Sequence, residues 1–225
     1  MDNTGTSFDQ QLQNCVKSGA AADVSAVDAL LPLCSAEGRK NALKDLVTVE
    51  SEEAVLAVAA YCVRRNELTP SEINTLALLA VMSASHRLVE FLAPLLVKDP
   101  HLLNVCILLK NPCSAHTLID AFGFDADSFE LAAQMGLDSV VARLLPLAAP
   151  QHKSEALYQA VRCNKQVCVD LLYKDSDCKT VVQRLNTDFP HHSTPVWEDF
   201  KTRVERDVLR QTVEGVATNS ARRKM

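Results

Sequence analysis

The stretch 131–145, LAAQMGLDSVVARLL, constrains the fold more than any other part of the chain. Ala132-Ala133, Val140-Val141 and Leu144-Leu145 are apolar pairs that would lie on one helical face, and Gly136 interrupts the run. Apolar groups spaced by about one helical turn and broken by a glycine are typical of two short helices joined by a tight turn. The stretch therefore predicts a helix–turn–helix unit.

The same pattern occurs six times. If the second residue of each small apolar pair is position zero, the zero positions are Val16, Val47, Val81, Leu108, Ala133 and Val161. Four of the six residues at position +3 are Gly or Asn, which readily adopt the left-handed conformation that ends a helix. Units repeated at such a period bury their apolar faces against their neighbours. The sequence predicts an all-α fold, an α-solenoid of about six repeats.

At these offsets the chain resembles the ankyrin repeat, whose core pattern has Leu, two small residues, Gly, Val-Val and Leu-Leu. The resemblance covers about residues 12–178, and 123–127 is similar to the Gly-Ala-Asp turn after an ankyrin helix pair. No unit has the Thr-Pro-Leu-His opening, and the later spacings, 25 to 28 residues, are shorter than in ankyrin. The resemblance therefore implies shortened fingers and no finger-mediated binding. Another α-solenoid and a non-repeat helical bundle are the alternatives.

The C-terminal part predicts a different organisation. The expected segments are the repeat array 7–178, a linker 179–194 with one short helix at 181–185, an amphipathic helix 195–216 and a disordered basic tail 217–225. Thr194 is suited to cap the amphipathic helix and Pro195 to begin it. This helix is interpreted as a cap that covers the end of the array. The alternative is a docking helix with Trp197 as its anchor.

Composition argues against several classes of protein. The net charge of −5 does not suit binding to nucleic acid. It therefore disfavours a helical-repeat RNA binder, which is the third possible function. Eight cysteines without a CxxC motif indicate reduced thiols in the cytosol or nucleus. The most apolar window, 73–97, contains polar and charged residues that a membrane span would avoid. We therefore expect a soluble protein that binds neither nucleic acid nor membrane.

Three groups of residues suggest chemistry, and each has a structural explanation. Cys113 and His116 near a helix N-terminus would suit a thiol-dependent enzyme or redox sensor, but no third catalytic group can be named. Cys163, Cys168, Cys178, His191 and His192 match no zinc-ligand spacing. Asp125 and Asp127 fit an inter-repeat turn better than a carboxylate pair. We therefore expect no catalysis, no metal and no cofactor, with the Cys113/His116 enzyme as the alternative.

The remaining function is partner binding. In an ankyrin-like stack, the first helices expose positions −3, +1 and +2 on the concave face. The residues predicted to bind a partner, including the helix anchor, are Val49, Leu78, Met82, Val105, Leu109, Glu130, Met135, Tyr158, Arg162 and Trp197. The central ones form an apolar strip where solvated residues are expected, which is typical of a protein-binding site. We expect a scaffold or adaptor that binds an extended segment or helix of another protein, as one subunit of a complex. A shifted register, or a final helix that covers the strip, is the alternative.

Overall fold

A computed structural model describes residues 7–17, 24–44, 52–191 and 193–222, with the backbone alone for Val213 and for 215–222. All the regular structure in these residues is helical, with fourteen α-helices and no strand. The prediction of an all-α protein is confirmed. The chain forms two compact units, Met1–Gly123 and Phe124–Met225.

The first unit contains eight α-helices among its described residues. They are α1 (Phe8–Lys17), α2 (Val24–Leu30), α3 (Ala36–Lys44), α4 (Glu52–Arg64), α5 (Pro70–Met82), α6 (His86–Leu92), α7 (Pro100–Leu108) and α8 (Pro112–Phe122). The odd-numbered helices pack side by side in sequence order, and the even-numbered helices do the same. The unit is therefore built from two layers of helices, with the core between them.

The described part of the second unit contains six α-helices. They are α9 (Ala126–Met135), α10 (Asp138–Leu144), α11 (Pro150–Arg162), α12 (Gln166–Leu172), α13 (Cys178–Asp188) and α14 (Pro195–Arg222). Helix α11 packs against α9 on one side and α13 on the other, while α10 packs against α12. The first part of α14 packs on α11 and α13 through Val196, Trp197 and Phe200, which are all buried.

Four helix pairs, α5–α6, α7–α8, α9–α10 and α11–α12, are joined by the same turn. In each pair, the carbonyl of a core residue near the end of the first helix accepts a hydrogen bond from the backbone N–H five residues later. These bonds are Ser85 to Ala80 (2.8 Å), Asn111 to Cys106 (2.8 Å), Leu137 to Ala132 (3.0 Å) and Lys165 to Ala160 (2.9 Å). The residue before each donor has a left-handed backbone, with φ of 57° at Ala84, 54° at Lys110, 77° at Gly136 and 59° at Asn164. This is the Schellman motif, which ends one helix and lets the next begin at once.

The four turns place the same positions in the core. With position zero at Val81, Ile107, Ala133 and Val161, every residue at −4, −1, 0, +7, +8 and +11 is at most 1% exposed. Ser114 is the one polar residue among them, and its Oγ has no hydrogen-bond partner in the described part of the chain. The pattern of apolar residues thus specifies both helices of each pair.

One predicted register position is shifted by one residue in the structure, and another lies outside the described residues. Leu108, the predicted zero position of the fourth unit, is 54% exposed, and Ile107 takes its place in the core. The last three spacings become 26, 26 and 28 residues. The sequence did not separate these choices because Ile107, Leu108 and Leu109 form one apolar run. Val47 lies outside the described residues.

Two predicted boundaries also change. The segment 179–194, expected to be a linker with a short helix, contains most of the eleven-residue helix α13. Asp177 caps it by accepting from the Thr180 backbone N–H at 3.2 Å, and Val181 and Leu185 bury its one apolar face. Helix α14 continues to Arg222, beyond the predicted end at 216 and into the predicted tail.

A buried arginine joins three segments of the first unit. The Arg39 guanidinium donates to both carboxylate oxygens of Glu67, and its Nη1 donates to the carbonyls of Leu31 and Cys34 after α2. It also lies 5.2 Å from the centre of the Tyr61 ring. Because a buried guanidinium without acceptors is strongly destabilising, these contacts require the end of α2, α3 and the α4–α5 connection to form together.

We expect glycine to be more stable than alanine at the left-handed position of a helix-ending turn. Gly136→Ala should lower the free energy of unfolding by about 1 kcal/mol, because alanine is strained at positive φ. Ala84→Gly should raise it by roughly 0.5 kcal/mol, because the strain relieved exceeds the entropy lost. Urea unfolding monitored by circular dichroism measures both. Ala142→Gly, in the exposed face of α10, is the control and should lose about 1 kcal/mol. A loss at Ala84 equal to that at Ala142 would contradict the argument.

The Arg39–Glu67 pair predicts acid sensitivity. Arg39 lowers the pKa of Glu67, and Lys40 with Thr69 lowers the pKa of Glu72 to about 2. A carboxylate whose pKa is lower in the folded state stabilises the fold above its unfolded pKa, and this contribution is lost as the pH falls through the folded value. The free energy of unfolding should therefore decrease from about pH 4.5 toward pH 2. Glu67→Gln should lose about 3 kcal/mol at pH 7 and show a smaller acid slope. Unchanged stability at pH 7 would refute the role given to this pair.

Candidate partner-binding surface

Helices α5 and α7 carry almost no charge. Their sequences, PSEINTLALLAVM and PHLLNVCIL, contain one residue of the Asp, Glu, Lys and Arg types, Glu72. Its carboxylate accepts from Lys40 Nζ at 2.8 Å and from the Thr69 backbone N–H, so it serves a salt bridge and a helix cap. Surface helices normally carry charged residues on the side that faces water. On the solvent side, the exposed side chains in the C-terminal halves of these two helices are apolar instead.

The exposed side chains on this side form one surface, which we call the α5/α7 strip. It consists of Leu78, Met82, Val105, Leu108 and Leu109. Leu78 is 36%, Met82 56% and Leu109 53% exposed, while Val105 is half-buried. Leu78 and Met82 are one turn apart on α5, and Val105 and Leu109 have the same spacing at α7. Four of the ten predicted partner-binding residues thus belong to the strip, and Leu108 joins them because the register moved.

Two open grooves run between the helices of the strip. One is lined by Leu78 on α5 and by Val105 on α7, together with Asn74, Val97 and other residues of the connection. The other lies at the turn ends of the helices and is lined by Met82, Leu109 and Lys110. A third, smaller groove between α3 and α5 is lined by Leu43, Leu76 and Leu79. The apolar side chains therefore border depressions in which other side chains can pack.

The predicted residues of the second unit have other surroundings. Tyr158 is 4% exposed, because α13 covers it. Its hydroxyl donates to Asp188 at 2.8 Å, and the guanidinium of Arg184 lies 4.0 Å from its ring centre. Trp197 is also 4% exposed and packs on Phe200. These two side chains belong to the core of the second unit, not to an exposed binding surface.

The other predicted positions are polar, half-buried or outside the described residues. Glu130 and Met135 on α9 are half-buried, as is Arg162 on α11. Burial, followed by the neighbouring Glu155 and Asp127, raises the pKa of Glu130. Val49 lies outside the described residues. The apolar strip is therefore a property of α5 and α7.

The two residues of the thiol pair suggested by the sequence, Cys113 and His116, differ in exposure. Cys113 is exposed in the first turn of α8, where Asn111 caps the helix by accepting from the Ser114 N–H at 3.2 Å. His116 Nε2 is buried and has no hydrogen-bond partner in the described residues. His86, which the sequence analysis did not select, lines the same groove as Cys113. Because His86 and Cys113 are far apart in the sequence, no local pattern indicates that they line the same groove.

The other candidate chemistry has structural explanations. Asp125 caps α9, accepting from the Ser128 backbone N–H at 2.9 Å and from its hydroxyl at 2.7 Å. Cys168 is buried at a core position of α12. Among the described residues, no three His, Cys, Asp or Glu side chains are grouped so that they could hold a metal ion.

Comparison with protein-family models, with curated proteins and with solved structures found no match to this chain. Within the described ranges, every helix is too short or too polar to cross a membrane.

Cysteine reactivity separates an exposed thiol from an activated one. Burial raises the pKa of Cys62 to about 11, of Cys106 to about 12 and of Cys168 to about 11, so these thiols should resist alkylation. Cys113 should be modified among the first by iodoacetamide at pH 7, at about the rate of free cysteine, since no hydrogen-bonded base activates it. Mass spectrometry of timed samples measures this, with Cys113→Ser as the control. A rate roughly 100-fold above that of free cysteine would support the enzyme alternative instead.

Proposed function

We propose that this protein is a non-catalytic interaction scaffold or adaptor, and that the α5/α7 strip binds a partner protein. The observation that supports the proposal is the exposed apolar surface on α5 and α7, two adjacent helices that together contain a single charged residue. Interface centres are depleted of Lys, Glu and Asp and enriched in methionine, aromatic residues and arginine. Met82, at the end of α5, adapts its shape to a partner more readily than a branched residue does.

The strip is not explained by the needs of the core. The residues at −4, −1, 0, +7, +8 and +11 already fill the interior of each helix pair. Every residue of the strip lies outside this set: Leu78 is at −3, Val105 at −2, Met82 and Leu108 at +1, and Leu109 at +2. In the second unit, the first helix of each pair carries polar or charged residues at some of the same positions. Helix α9 carries Glu130 at −3 and Gln134 at +1, and α11 carries Arg162 at +1. The apolar surface of α5 and α7 therefore points to a function.

The ankyrin-like character of the chain belongs to the same proposal. Four helix pairs share one turn, and the connections between pairs are short: 123–125 separates α8 from α9, and 96–99 precedes α7. Connections of this length leave no room for a β-hairpin finger. We propose a helical-repeat scaffold, in the cytosol or nucleus, that acts within a complex and uses the faces of its helices. Its partner is an extended segment or a helix.

The experiment compares two double variants in affinity capture from native cell extract. Met82→Glu/Leu109→Glu places two carboxylates in the strip, and we expect it to lose about tenfold or more of the partner that the wild-type chain retains. Leu147→Glu/Val167→Glu makes the same change in charge at exposed apolar residues of the second unit and should retain it. Quantitative mass spectrometry measures the retained proteins.

Circular dichroism and the melting temperature establish that both variants fold. All four residues are exposed, so each substitution should change stability by no more than about 0.5 kcal/mol. Equal retention by the wild type and the strip variant would contradict the proposal. Loss in both variants would show that added negative charge, and not the strip, causes the effect.

A further inference from the structure

Three lysines line the grooves that border the strip. Lys40 and Lys44 line the groove between α3 and α5, and Lys110 lines the groove at the turn ends of α5 and α7. The carboxylates that line these grooves and the one between them are Glu72 and Asp99. Three ammonium groups thus line these grooves with two carboxylates, and a third carboxylate, Glu37, pairs with Lys44 on the exposed side of α3. The net charge of the whole chain is −5.

Both carboxylates that line the grooves already have partners within the unit. Glu72 accepts from Lys40 and caps α5 through Thr69, and Asp99 caps α7 by accepting from the His101 backbone N–H at 3.0 Å. Neither is therefore free to bind a cation of a partner without a loss of helix stability. The acidic groups of this face are used internally.

Two of the lysines remain available to a partner. Lys110 is exposed at the left-handed position of its turn and forms no salt bridge within the described residues. Lys44 is exposed, and its ion-pair partner is Glu37 on its own helix at 3.4 Å, also exposed. Such surface pairs contribute little and exchange easily. The two ammonium groups flank the strip, one toward α3 and one at the turn end of α7.

The shape of the surface favours a helical partner. The exposed apolar residues are spaced by one helical turn, and they border grooves between packed helices. An amphipathic helix binds such a surface by placing its apolar face in the groove. The described residues contain no strand edge to which an extended segment could add by backbone pairing.

We infer that the occupant of the strip is an acidic amphipathic helix of another protein, whose apolar face packs on Leu78, Met82 and Leu109 while its carboxylates pair with Lys44 and Lys110. The inference rests on the proposed function and adds the class of partner. An acidic segment is repelled by the net charge of the chain elsewhere and attracted here, so the lysines give orientation and specificity.

The test uses the full chain and a displayed library of helix-forming peptides of about 15 residues, roughly four turns. Selected peptides should contain more Asp and Glu than Lys and Arg, with apolar residues one turn apart. One synthetic peptide is then titrated by fluorescence anisotropy. Lys44→Glu/Lys110→Glu should weaken its binding by about tenfold or more, and Lys44→Gln/Lys110→Gln by less. Lys174→Glu/Lys179→Glu, in the second unit, has the same net charge as the first variant and should bind within about twofold of wild type.

A charge-swapped peptide, with lysine in place of its glutamates, should bind Lys44→Glu/Lys110→Glu better than the wild-type chain. Selection of neutral or basic peptides, selection of none, or equal binding by the lysine variants overturns the inference. So does a wild-type dimer in analytical ultracentrifugation that Met82→Glu abolishes, because the occupant is then a second copy. Peptide binding that survives Met82→Glu/Leu109→Glu refutes the proposed function itself, whereas loss there with no effect of the lysines refutes only the acidic class.

Discussion

One backbone hydrogen bond, repeated at four helix junctions, organises the helix pairs of both units. An N–H reaches back five residues to a carbonyl in the last turn of a helix, and the residue before the donor takes a left-handed backbone. The same bond, from Glu67 to Cys62, ends α4, with Asn66 at the left-handed position. Because this turn reverses the chain in so few residues, the second helix starts in a defined register and its Leu or Val side chains meet the small residues of the first.

The division of positions between core and surface follows from that register. Once the turn has placed the core positions, the residues at +1 and +2 face outward whatever their chemistry. They are Met82 and Ser83 or Leu108 and Leu109 in the first unit, but Gln134 and Met135 or Arg162 and Cys163 in the second. A constant scaffold therefore carries two kinds of surface, and the chemistry of a binding site can change without changing the fold.

The repeating pattern was sufficient to predict the helix pairs, since three of the four zero positions, Val81, Ala133 and Val161, are core residues at the expected place. It was ambiguous at Leu108, where three apolar residues follow one another and only packing decides which is buried. Only the central part of α13, 181–185, was predicted as a helix, because its apolar face consists of little more than Val181 and Leu185. The burial of Tyr158 depends on α13, and the pairing of Arg39 with Glu67 joins residues far apart in the chain, so neither has a local signal.

The buried guanidinium of Arg39 also determines where the chain can be shortened. Two of its acceptors are the carbonyls of Leu31 and Cys34, just beyond α2, and its carboxylate partner lies after α4. A fragment that starts at α3 would keep the charge in the interior but remove two of the groups that solvate it. A fragment that includes α3 must therefore begin no later than Leu31, or carry an apolar residue at position 39.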